Sequence, residues 1–467
     1  MITSMTYLKK RCLMSNTNEN KMGVQPIKPL IVSMSLPMMA SMLVQALYNV
    51  VDSIFVAQIN QDALTAVTLA FPLQNLMIAL GAGTGVGMNA LLSRSLGEKN
   101  FDRADRAANT TLMLTFINYF IFLLIGIFAV RPFLMMQSRD ENVIAYGVSY
   151  LTIICCCSIG VFCQMTFERM LQSTGRTLYS MYSQMTGAII NIVMDPILIF
   201  GMFGAPKMGI AGAALATVFG QVCGTLIGLY CNIALNPDVH LKLPLIFSPR
   251  ADIIKEIYYV GVPSILMMSI GSLMTFAMNK ILISFSKTAT NVFGVYFKLQ
   301  SFFFMPVFGL NNGLIPVLAY NLGAKKKKRI NEALRFAIAL AAIIMIVGTV
   351  TFQIFPDRLL GLFNADNEMI KVGRPALRVI SLSFPLAGIC IALGSVFQAF
   401  SESVYSLAVS IGRQLVVLIP VAWALAQTGN VDAVWWAFPI AELASLLLSG
   451  VFFKKVYIKK ISEIEEY

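Results

Sequence analysis

Two aspartates stand inside apolar stretches, Asp52 in "YNVVDSIFVAQ" (48–58) and Asp195 in "NIVMDPILIFGM" (191–202). A carboxylate at mid-membrane costs roughly 2.5–3.5 kcal/mol on insertion scales, so an acid there is first of all a candidate for function. Helical spacing gives each a polar companion one turn away, Tyr48 beside Asp52 and Asn191 beside Asp195. Thr217 in "GAALATVFGQ" belongs near the same depth, and Pro196 frees the Ile192 carbonyl of its helical partner. Oxygen ligands with at most two charges suit a proton or Na⁺ and lack the soft atoms a transition metal would want.

Those depths presuppose membrane helices, and the composition supplies them. The 467 residues are 57% hydrophobic and only 12% charged, with mean hydropathy +0.74; an ordinary soluble domain has about 25% charged residues. The chain reads as a polytopic, all-α membrane protein. Apolar runs long enough to span a bilayer lie at 30–58, 63–92, 104–130, 141–171, 177–202, 209–234, 252–285, 289–320, 330–355, 369–399, 404–427 and 432–457. With these bounds Asp52 and Asp195 sit six and seven residues from the same end of their spans, below the headgroups.

Lys and Arg collect on alternate loops: Lys9, Lys10, Arg11 and Lys28 at the start, Arg94 to Arg106, Lys242 to Lys255, "KKKKR" at 325–329, and Lys454 to Lys460. The other side carries a thin scatter such as Arg131, Lys207 and Arg358. By the positive-inside rule both termini are cytoplasmic, in the plasma membrane. The net charge of +12 is thereby explained without nucleic acid. The first 25 or so residues are basic but have no apolar core, so they read as a mobile tail and not a cleavable signal. Eight cysteines fall mostly inside spans, and the single histidine is His240; no metal-ligand spacing is present, and no cofactor is expected.

The chain also repeats itself at an offset of 226. "SLPMMASMLVQAL" from Ser35 returns as "GVPSILMMSIGSL" from Gly261, "PLQN" at 72–75 as "KLQS" at 298–301, and "SLG" at 95–97 as "NLG" at 321–323. Six spans per unit is an even number, so the two lobes share one orientation, an arrangement suited to rocking about a site between them. The expected divisions are a tail 1–27, an N-lobe 28–235, a linker 236–251, a C-lobe 252–457 and a tail 458–467. Pro37 matches Pro263, and a proline repeated inside the first helix of each lobe points to a hinge.

The offset carries Asp52 onto Met278, Asn191 onto Val417 and Asp195 onto Val421, so the acidic cluster belongs to one lobe. In the other, Lys298 and Glu442 lie at similar depth and are expected to pair, either structurally or against substrate. Glu168 and Glu402, beside cytoplasmic ends, read as interface residues. "GAGTGVG" at 81–87 has no preceding strand and reads as close helix packing, not a phosphate cradle.

With "NVVDSIFV", "SRSLGEK", "NIVMDPILIFG", "GIAGAALAT" and "GLIPVLAYNLGA", the chain resembles the multidrug and toxic compound extrusion transporters, in their bacterial MepA-like branch, over nearly all of 28–457. The resemblance implies twelve helices in two six-helix lobes around a central cavity, and export of small cationic lipophilic drugs driven by H⁺ or Na⁺ entry. It carries the coupling role onto Asp52, Asn191 and Asp195, with Tyr48 and Thr217 beside them, in a protein expected to be a monomer and no enzyme. Some relatives have a C-lobe acid on the seventh span, where this sequence has Lys280. A flippase of lipid-linked or amphipathic substrates is the alternative.

Overall fold

The computed structural model describes residues 20–363, 365–462 and 464. Among these described residues ten helices are long and apolar enough to cross a membrane, and two further bent pairs bring the spans to twelve. In the first half these are α1 (Ile27–Ala57), α2 (Gln61–Gly97), α3 (Phe101–Phe128), the pair α4 (Glu141–Cys156) and α5 (Ile159–Ser173), α6 (Thr177–Phe200) and α7 (Ile210–Ala234). The second half has α8 (Ala251–Ile283), α9 (Lys287–Gly323), α10 (Lys327–Ile354) and the pair α11 (Asn367–Ser381) and α12 (Phe384–Ala399). It ends with α13 (Ser403–Ile411), a wide π turn Gly412–Leu418, α14 (Ile419–Ala426) and α15 (Ala437–Tyr457).

The repeat holds at the level of local chemistry. Helices α2 and α9 are both 37 residues long, and α3 and α10 both 28. Asn60 caps α2 by accepting from the Ala63 amide at 2.7 Å, and Ser286, its equivalent, caps α9 through Ala289 at 3.0 Å. Asp140 and Asp366 do the same for α4 and α11. Lys99 and Lys325 take left-handed backbone at φ 57° and 56° where each hairpin turns. The sharp bends repeat too, 46° between α4 and α5 and 45° between α11 and α12. By contrast α1 and α8 run unbroken through Pro37 and Pro263.

The lobes meet where α1 crosses α9 and α8 crosses α2, and small residues make the crossings possible. A methyl group on Gly309 would lie 2.6 Å from the Cα of Met39, and one on Gly313 2.9 Å from that of Ser35. The equivalent pair Gly83 and Gly87 packs on Gly261, Ile265 and Ile257 of α8. "GAGTGVG" is thus a packing seam, as its apolar setting predicts. Farther along, Gly97 packs on the Tyr320 carbonyl and Gly323 on the Arg94 carbonyl, a reciprocal contact between equivalent positions.

This seam closes one end of the molecule, the end carrying the basic loops. From Ala79 to Gly97, α2 is buried nearly all round, and so is α9 from Pro306 to Asn321, whereas their first halves are buried along one face only. The lobes are therefore joined at the basic end and separate toward the other.

The expected mobile tail is corrected for its last residues. Asn20 donates to the Thr174 carbonyl at 3.1 Å, and Met22 is fully buried. The Met22 carbonyl accepts from Asn321 at 3.1 Å and from Arg329 at 3.0 Å, and the Gly23 carbonyl from Lys326 at 2.9 Å. Burial, with Arg176 nearby as a lesser cause, holds the Lys21 ammonium below its ordinary pKa. Residues 20–25 thus bridge both lobes; residues 1–19 lie outside the described part. At the other end, Ile458–Ser462 continues α15, and Lys459 pairs with Glu402 at 2.8 Å.

Candidate cation site

Helix α1 carries Tyr48 and Asp52, α6 carries Asn191 and Asp195, and α7 carries Thr217. The fold brings all five together. Asn191 donates its side-chain amide to the Thr217 hydroxyl at 3.1 Å. Tyr48 lies close enough to interact with the same threonine and with both aspartates, and Asp52 and Asp195 are close enough for their charges to interact. Asp195 is fully buried, Asn191 and Thr217 nearly so, and Asp52 partly.

The polar bookkeeping defines the site's chemistry. Asp52 Oδ1, both carboxylate oxygens of Asp195 and the carboxamide oxygen of Asn191 are buried with no hydrogen-bond partner in the protein. Buried oxygens without donors are costly, and an acid pair doubly so. A bound proton or a small hard cation removes that cost, since it supplies the positive charge these oxygens lack.

Two further residues belong here that sequence reasoning missed. Tyr150 of α4 is buried within charge range of both aspartates, and Gln74 of α2 donates to its hydroxyl at 3.1 Å. Gln74 is part of the repeated "PLQN", so the signal was present, but it marked the repeat and not the site. Tyr150, ten residues into a span, was hidden because tyrosine is unremarkable in a membrane helix.

The expected pairing of Lys298 with Glu442 is overturned. Glu442 is bound by Arg413, which donates Nη1 to Oε1 at 2.6 Å, while Lys298 is exposed with its ammonium 5.8 Å from the Phe363 ring centroid. The reason is helical phase: Tyr296, the residue on α9 that reaches the Glu442 charge, lies two positions from Lys298 and hence on another face. An arginine ten residues into the eleventh span was the legible sign. Glu168 is held within the N-lobe by Gln164 at 2.9 Å and Ser183 at 3.3 Å, and Lys280 lies near the end of α8 with its ammonium over Phe276.

Known proteins resemble this chain along most of its length. The family model MatE matches twice, over 37–197 and 263–424. The chain is 28% identical to the probable multidrug resistance protein YoeA of Bacillus subtilis, covering 92% of this chain and 94% of that one. It is 25% identical to an FAD transporter of Shewanella oneidensis (90% and 92% covered) and to the multidrug export protein MepA of Staphylococcus aureus (91% and 93%). In three dimensions it superposes with TM-score 0.89 on an outward-facing multidrug resistance MATE family transporter of the MOP superfamily, at 24% identity, over 95% of this chain and 98% of that one.

Proposed function

Since the chain belongs to the MatE family and is a multi-pass membrane transporter, not an enzyme, we propose that it is a secondary active multidrug exporter. It exchanges small cationic lipophilic compounds for H⁺ or Na⁺ by alternating access. The observation carrying this reading is the cluster of partnerless buried oxygens on Asp52, Asn191 and Asp195. Two of the relatives above are named for multidrug resistance or export, and the chain matches them along more than nine-tenths of its length.

The mechanism rests on one helix doing two things. Helix α1 holds Asp52 near one end, and at the other it packs on α9 through Ser35 and Met39. Pro37 lies between these contacts, and Pro263 lies likewise between Gly261 and Ile265 on α8. A cation bound by Asp52 and Asp195 pulls α1 toward α6, and that pull is felt at the lobe seam across a helix with one hydrogen bond fewer at its proline. A ligand shifts such an equilibrium only through different affinities in the two states, so coupling requires the cluster to be reshaped when the seam opens. With the basic end cytoplasmic, the conformation described here faces outward.

The test is dye counterflow in proteoliposomes with imposed ΔpH or ΔNa⁺ and ethidium as probe. Accumulation that follows one of the gradients supports the exporter and identifies the ion. Accumulation indifferent to both refutes ion coupling, and uptake of FAD but not ethidium would replace the substrate class.

A further inference from the structure

We propose that Arg413 is a tethered cation. Its guanidinium holds Glu442 in the C-lobe as a solution cation is held in the N-lobe, so the coupling ion binds in one lobe only. The inference rests on the exporter reading and adds which lobe counts ions and why.

The repeat places this pair beside the cation site's equivalent. Shifted by 226, Arg413 falls on Gly187, one turn from Asn191, and Glu442 on Ala216, next to Thr217. In the N-lobe Gly187 packs so tightly that a methyl there would lie 3.1 Å from the Gly220 carbonyl and 3.2 Å from the Gln164 amide. A side chain there would have to push these neighbours aside. In the C-lobe the backbone widens at this point into the π turn Gly412–Leu418, and Arg413 reaches across to α15. Such wide turns are rare and concentrate at functional positions.

The surroundings fit a carboxylate served by a single cation. Glu442 Oε1 takes the guanidinium at 2.6 Å, and Oε2 is buried with no partner in the protein. Tyr296 of α9 and Cys390 of α12 are the other titratable groups whose charges reach Glu442, and Ser445 donates to the Cys390 sulfur at 3.5 Å. Arg413 leaves 29% of its side-chain surface exposed, and its removal leaves the Glu442 carboxylate without a positive partner. A cation fixed to the chain does not depend on any gradient. It neutralises Glu442 in both conformations and transfers nothing.

The test compares wild type, Arg413→Gln, and the neutral pair Arg413→Gln with Glu442→Gln, in proteoliposomes with the membrane potential clamped at zero and ethidium as probe. At a roughly tenfold ion gradient, exchange for one ion limits accumulation to about tenfold and exchange for two to about a hundredfold. Wild type and the neutral pair are expected at the one-ion limit, and Arg413→Gln above it. Arg413→Gln stopping at the wild-type limit, or a folded neutral pair without gradient response, overturns the inference. A wild type indifferent to both gradients refutes the exporter reading instead. Infrared titration in sodium-free detergent solution then still decides: Arg413→Gln should gain a protonated-carboxyl band that the neutral pair lacks, and no such band overturns the tethered cation.

Discussion

Asn191 donates its side-chain amide to the Thr217 hydroxyl at 3.1 Å, and its carboxamide oxygen is left buried with no partner beside Asp195. Thr217 in turn donates to the Ala213 carbonyl at 3.1 Å, so its proton is committed to its own helix. The threonine thereby orients the asparagine, with its acceptor end free for a cation.

That orientation gives the first prediction. Asn191→Ala should keep the fold and raise the ion concentration needed for half-maximal gradient-driven transport by roughly tenfold or more, the effect of losing one ligand to a charge at about 1.5–3 kcal/mol. An unchanged ion dependence would remove Asn191 from the site.

Pro37→Ala and Pro263→Ala each restore a backbone hydrogen bond beside the lobe seam. Both should lower the transport rate more than the yield of folded protein, measured as initial ethidium flux per molecule of correctly inserted transporter. Wild-type flux in both variants would exclude these prolines as hinges.

The reciprocal contacts of Gly97 and Gly323 predict a conformational shift. Gly323→Val places a side chain against the Arg94 carbonyl in the closed seam; separated lobes have room for it. Spin-label distances across the basic end should lengthen in the variant, and distances across the opposite end should shorten. Distances equal to wild type would mean that the seam tolerates the added bulk.

Residues 20–25 bind both lobes, so they should matter more than a tail would. Met22→Ala empties a fully buried position and should cost about 2–5 kcal/mol, readable as a lower thermal unfolding midpoint in detergent. An unaltered midpoint would show that this segment adds nothing to the closed state.

Much of this was legible in the chain because membrane helices and internal repeats are written in composition and spacing. Asp52 and Asp195 announce themselves by charge in an apolar run, and the offset of 226 carries over to caps, turns and bends. The Arg413 to Glu442 bond was not legible, because depth along a helix orders residues only in one dimension. Lys298 has the right depth and the wrong face. Residues 20–25 were hidden for a different reason: most of their bonds to the protein run through backbone carbonyls and one methionine, which carry no polar signature in sequence.

The central claim is that Asp52 and Asp195 bind the coupling cation, and one comparison tests it most directly. Asp52→Asn, Asp195→Asn and the double variant are prepared as everted vesicles for gradient-driven ethidium uptake, and in detergent for ethidium affinity. Each amide keeps the size of the side chain, so insertion and ethidium affinity should persist, while the response to the ion gradient disappears. The double variant should be little worse than either single one, as for residues acting as one unit. A gradient response preserved in Asp52→Asn at normal expression would contradict the account and make this aspartate a polar contact between helices.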